Sequence, residues 1–98
     1  MDYEPPTDVY TTTTQVVISV ELPGVLQDAV EIEAGDGALT VRGRRAVQLG
    51  GLDLHRLERS FGEFSCQVAL PHDADAARRR VTLAAGVLTV EIPRSTHE

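Results

Sequence analysis

The sequence predicts an all-β protein folded as a β-sandwich. Three observations carry that prediction. Apolar and polar residues alternate in several short runs, the period of a strand with one buried face. Turn signals built from Gly, Pro and Asp separate those runs about every eight to twelve residues, the spacing of a sandwich. The chain is also aliphatic: 42% of its 98 residues are hydrophobic, yet it has two Phe, two Tyr and no Trp. Its core must therefore be built mainly from Val and Leu, which favours strands.

The clearest strand lies near the end of the chain. In Ala85-Gly86-Val87-Leu88-Thr89-Val90-Glu91-Ile92-Pro93, the residues Leu88, Val90 and Ile92 share one face, and Val87, Thr89 and Glu91 share the other. Gly86 suits the tight turn before it. Pro93 has no N–H to give to a ladder and suits the strand's end.

From the start, residues 1–7 with Pro5-Pro6 read as a short extended arm, and 8–94 as one domain followed by a tail over 95–98. Asp8 to Thr11 is a short edge strand and Thr12 to Thr14 a polar turn. Gln15 to Leu22 is a strand with Val16, Ile18, Val20 and Leu22 on one face, stopped by Pro23-Gly24. Val30 to Glu33 alternates again. Gly35-Asp36-Gly37 is a hairpin turn into the strand Ala38 to Arg44. An excursion over about 45–58 follows, with a loop containing Gly50-Gly51 and then an exposed strand, Leu54 to Glu58. Ser60 to Glu63 is a turn. Phe64, Cys66, Val68 and Leu70 share a strand face up to Pro71. Asp73 to Arg79 is the one plausible helix, at most about two turns and too short to stand without packing. Val81 and Leu83 belong to a brief strand. In all, eight strands are expected.

Charge and cysteine content narrow the function. The formal net charge is −6, and all nine cations are Arg. An acidic chain repels nucleic acid and anionic membranes, so neither is an expected partner. The only basic cluster, Arg78-Arg79-Arg80, reads as a solvated turn rather than a phosphate patch. The single cysteine excludes an internal disulfide and fits a reducing compartment. No apolar run approaches the ~20 residues of a membrane span, and Met1-Asp2-Tyr3-Glu4 lacks the features of a signal peptide. Cytoplasm is the expected location.

No catalytic, metal or cofactor site emerges. Cys66 with His55 or His72 would offer a nucleophile and base. However, Cys66 alternates with Phe64 and Val68, the pattern of a buried structural thiol. His55, Cys66, His72 and His97 contain no pair at ligand spacing. Asp73 and Asp75 read as a solvated turn or helix cap. No Gly-rich phosphate loop is present. The expectation is a protein that is not an enzyme.

Four blocks in order resemble a known family. They are Val20-Glu21-Leu22-Pro23-Gly24-Val25, Gly37-Ala38-Leu39-Thr40-Val41-Arg42-Gly43, Leu57-Glu58-Arg59-Ser60-Phe61-Gly62-Glu63-Phe64 running on to Leu70-Pro71, and the final Ala85-to-Pro93 stretch. They are similar to the alpha-crystallin domain of the small heat shock proteins, the Hsp20 family, especially bacterial and plant-type members. The similarity covers about Asp8 to Pro93. It implies an immunoglobulin-like two-sheet sandwich and an ATP-independent holdase of the stress response, which binds partly unfolded proteins and suppresses their aggregation. It also implies a homodimer in which the excursion strand crosses to the partner's sheet. The interface residues would then be Leu54, His55, Arg56, Leu57, Glu58 and Arg59. A strand that leaves its own sandwich needs another edge to satisfy its backbone. For Glu58 and Arg59 the alternative is an exposed ion pair worth under ~1 kcal/mol.

The resemblance further implies a groove for extended peptides or client segments at Val30, Ile32, Val81 and Leu83; the alternative is that all four fill the core. Family members often carry Arg where this chain has Cys66, so ion pairs from that position are not expected here. They also usually have a longer N-terminal arm and a C-terminal Ile-x-Ile motif. Here Val90-Glu91-Ile92 has that spelling but lies inside a strand, so a dimer is expected rather than a large shell. A different class of function on the same fold is a co-chaperone-type module that docks one folded partner. Such modules lack the excursion strand and stay monomeric. A hydrolase built around Cys66 is a third, weaker reading.

Overall fold

The computed structural model describes residues 2–45 and 62–95. The excursion strand Leu54 to Glu58, together with Arg59 and His97, lies outside the described residues. Within them the chain forms eight strands. These are β1 (Asp2–Tyr3), β2 (Thr7–Thr11), β3 (Gln15–Glu21), β4 (Val30–Gly35), β5 (Ala38–Arg45), β6 (Gly62–Ala69), β7 (Arg80–Ala84) and β8 (Val87–Pro93). They make two four-stranded sheets, ordered β1-β6-β5-β4 and β2-β3-β8-β7. The predicted β-sandwich is the architecture found.

The alternating strands supply its core. Val16, Ile18 and Val20 of β3 pair with Ile92, Val90 and Leu88 of β8 in antiparallel register. All six are buried. Leu39 and Val41 of β5 and Phe64 and Cys66 of β6 face them from the other sheet within one hydrophobic cluster. Burying each such side chain stabilises the fold by ~1.5–3 kcal/mol. The ion pairs of Arg42 with Glu31 and Glu33 lie on an exposed surface, where such pairs contribute ~1 kcal/mol or less. The aliphatic core therefore dominates.

Two hairpins set the register of the outer strands. Gly35 pairs with Ala38, leaving Asp36 and Gly37 as a two-residue loop. Ala84 pairs with Val87 around Ala85 and Gly86. The four loop residues have φ of 52°, 75°, 53° and 77° in chain order. Positive φ at both central positions is what a type I′ hairpin turn requires.

Three expectations need correction. No helix spans Asp73 to Arg79; only a 3₁₀ turn at Ala76–Arg78 forms. Before it, Ala74 bridges to Arg94 and the Asp75 amide donates to the Pro93 carbonyl at 2.8 Å. These tertiary bonds hold the first half of the segment away from helical geometry and override the helix propensity of its alanines. Gly62 and Glu63 open β6 instead of forming a turn. The N-terminal arm is part of the sandwich: Asp2 and Tyr3 pair in parallel with Glu63 and Phe64 of β6. The Tyr3 ring lies 5.8 Å from that of Phe64, a tilted aromatic contact. The Pro6 carbonyl accepts from the Glu21 amide of the other sheet at 3.0 Å, so the arm ties the two sheets together along one side.

Candidate functional site

Among the described residues, the sheet orders place β4 at the edge of one sheet and β7 at the edge of the other. Val30 and Ile32 lie opposite Gly43 and Val41 of β5, while Val81 and Leu83 lie opposite Val90 and Leu88 of β8. Directly opposed residues of a strand pair point to the same face. All four therefore point between the sheets, but an edge strand has a neighbour on one side only, so each stays partly uncovered. Val81 is 38% exposed. Val30, Ile32, Val81 and Leu83 line a single cavity of about 210 Å³ floored by buried Leu88. Gln27 and Arg79 also line it. Drug-sized ligands occupy ~300–1,000 Å³, so the space suits a few side chains of an extended segment. The structure thus brings together the four groove candidates, and none of them belongs to the fully buried core. Leu26, 71% exposed, lies next to Gln27 in the chain.

On the opposite side, β2 is the outer strand of its sheet among the described residues. Four of its five residues are exposed, including Val9 and Tyr10. An uncovered strand edge offers unpaired backbone groups to another chain.

Cys66 is buried beneath the N-terminal arm. A cavity of about 470 Å³ beside it is lined by Glu4, Pro5, Thr7 and Val68, among others. Burial pushes the thiol's pKa up, against the lowering effect of a Thr7 hydrogen bond, with the Glu4 charge adding to the rise. Such a thiol holds its proton and is a poor nucleophile. His72 sits exposed in the turn after β6 and does not line this cavity. Asp73 is neither solvated nor a cap, because it pairs with Arg94 at 3.2 Å and is largely buried. Asp75 precedes the 3₁₀ turn without a side-chain cap bond. Among the described residues, no cluster of three His, Cys, Asp or Glu could hold a metal, and no helix is long and apolar enough to cross a membrane.

The sequence profile of the Hsp20/alpha crystallin family matches residues 8–98. The chain belongs to this family. Relatives that match it over most of its length are named small heat shock proteins and class I heat shock proteins. One relative, small heat shock protein C4 of Rickettsia felis, is 30% identical over 92 residues, covering 92% of this chain and 56% of that protein. The 16.9 kDa class I heat shock protein 1 of Triticum aestivum is 39% identical over 82 residues, covering 81% of this chain and 54% of its own length. The chain thus spans little more than half the length of these relatives. Heat shock protein 16.0 of Schizosaccharomyces pombe superposes with a TM-score of 0.89 at 30% identity, covering 98% of this chain and 91% of that one. Its agreement extends the match to the sandwich as a whole.

Proposed function

We propose that this chain is an ATP-independent holdase that works as a strand-exchanged homodimer and keeps partly unfolded proteins from aggregating. The observation that carries the reading is the groove between two sheet edges, lined by Val30, Ile32, Val81 and Leu83. An extended client segment can pair its backbone with an edge strand while alternate side chains enter the groove. The acidic surface, net −6, would keep the loaded complex dispersed.

The dimer would form on the other side. The segment Leu54 to Glu58 would add to the open β2 edge of a second copy, extending that sheet. Both segments are five residues long, so one can pair along the whole of the other. Arg59 would flank this contact.

Light scattering from reduced insulin, which aggregates as its chains separate, tests the holding activity. The chain is expected to suppress scattering at equimolar ratio without ATP, and Val81→Asp with Leu83→Asp is expected to weaken the suppression. Scattering unchanged by the wild-type chain would overturn the reading.

A further inference from the structure

The three consecutive arginines do not share one environment. Arg78 and Arg80 lie with Thr14, Gln15 and Glu91 around a depression on the outer face of β3 and β8. Arg79 instead turns to the groove and is half-buried there. Its Nη1 donates to the Ala76 carbonyl at 2.8 Å, which fixes the guanidinium beside the aliphatic wall. A guanidinium carries five N–H donors, so one bond leaves most of them for another acceptor. Among the described residues, no carboxylate lies within salt-bridge distance of Arg79. The other groove-lining residues, Gln27 and five aliphatic side chains, carry no charge.

From this we infer that Arg79 makes the groove selective for extended segments in which an aliphatic-x-aliphatic pair is flanked by a carboxylate. The inference rests on the groove reading above and adds the chemistry of the occupant. Two aliphatic side chains, two residues apart along a strand, point to the same face and would meet Val30, Ile32, Val81 and Leu83. A flanking Glu or Asp would then come within reach of the tethered guanidinium, with which carboxylates form strong, geometrically defined hydrogen bonds. On a chain of net charge −6, the general field repels an acidic peptide. Any preference for acidic flanks must therefore arise from a local cation.

Fluorescence anisotropy with two labelled peptides provides the test. Both carry Ile-Thr-Ile at the centre; one has two glutamates at each end and the other two lysines. At physiological ionic strength, where the general field is largely screened, the wild-type chain is expected to bind the glutamate peptide roughly three- to fivefold more tightly than the lysine peptide, the scale of one partly exposed ion pair. Arg79→Met, which keeps an apolar stem against the groove, should bind both peptides with the preference lost or reversed. Arg78→Met, on the outer face, should leave the preference in place. Equal affinities for the wild type, or an equal effect of Arg78→Met, would overturn the inference and leave the groove reading standing. If neither peptide bound, or if Val81→Asp changed neither affinity, the groove reading and this inference would fall together. Far-UV circular dichroism establishes that each variant is folded.

Discussion

Arg94 donates from Nε to both carboxylate oxygens of Asp73, at 3.2 and 3.3 Å, across a separation of 21 residues. The same guanidinium donates from Nη1 to the Thr12 carbonyl at 2.9 Å. The backbone follows this path too, with the Arg94 amide on Thr14 and the Ser95 amide on Asp73. One arginine thus joins the β2–β3 turn, the segment after β6 and the end of β8. The two side chains are 26% and 11% exposed, so the pair is better shielded than an ordinary surface ion pair. Arg94→Ala and Asp73→Asn are each expected to cost ~1–2 kcal/mol. In urea denaturation the double variant should lose less than the sum of the two, because the residues form one network.

Gly43 sits opposite Val30, where no side chain fits. A Cβ there would fall on the Ala29 carbonyl oxygen and 2.7 Å from Cζ of Phe64. Backbone and a core ring would both have to move. Gly43→Ala is expected to cost ~1–3 kcal/mol and to disturb the β4 wall of the groove. Thermal unfolding and peptide anisotropy would register the two effects separately.

Ala85 is strained where Asp36, at the equivalent hairpin position, is better suited. Both have positive φ, 53° and 52°. That region costs a typical L-residue ~1–2 kcal/mol, while Asn and Asp tolerate it. Ala85→Asn is therefore expected to stabilise the chain by up to ~1 kcal/mol, raising Tm by roughly 4–8 °C. Gly86→Ala should do the opposite, since it is strained at φ 77° and its Cβ would lie 3.2 Å from Cα of Pro23.

Cys66 gives a pH dependence of defined sign. Burial raises its folded pKa above the ordinary 9.0. Below the ordinary value both states hold the proton and the stabilisation is complete. As pH rises, the unfolded chain ionises first and gains stability, so the folded state loses ground until the buried thiol itself ionises. Between pH 8 and 10.5, wild-type stability should fall more steeply than that of Cys66→Ala, measured by urea denaturation. Parallel curves would count against a buried neutral thiol.

Much of this architecture is legible along the chain because it is local. Alternation marks Val16, Ile18 and Val20, and likewise Leu88, Val90 and Ile92, and Asp36-Gly37 and Ala85-Gly86 mark the two hairpins. The groove residues are visible as strand positions, but their partial exposure depends on β4 and β7 becoming edges, which is a property of the topology. The Asp73–Arg94 network has no local signal, because it needs the end of β8 to lie beside the segment after β6. The same long-range bonds explain why the alanine-rich stretch from Asp73 to Arg79 misleads as a helix. Tyr3 is a further case, since nothing near it in sequence indicates that it will pair with Phe64. Val17 breaks the alternation: it is buried although its neighbours Val16 and Ile18 fill the core face, and it lies between Tyr10 and Glu91 on the outside of its sheet.

The strand-exchanged dimer is tested most directly by solution mass. Light scattering would compare this chain with a variant in which Leu54 to Glu58 is deleted and the loop resealed, with circular dichroism establishing that the variant is folded. The expected result is a dimer that becomes a folded monomer on deletion. A monomer in both cases, or a dimer unaffected by the deletion, would contradict strand exchange.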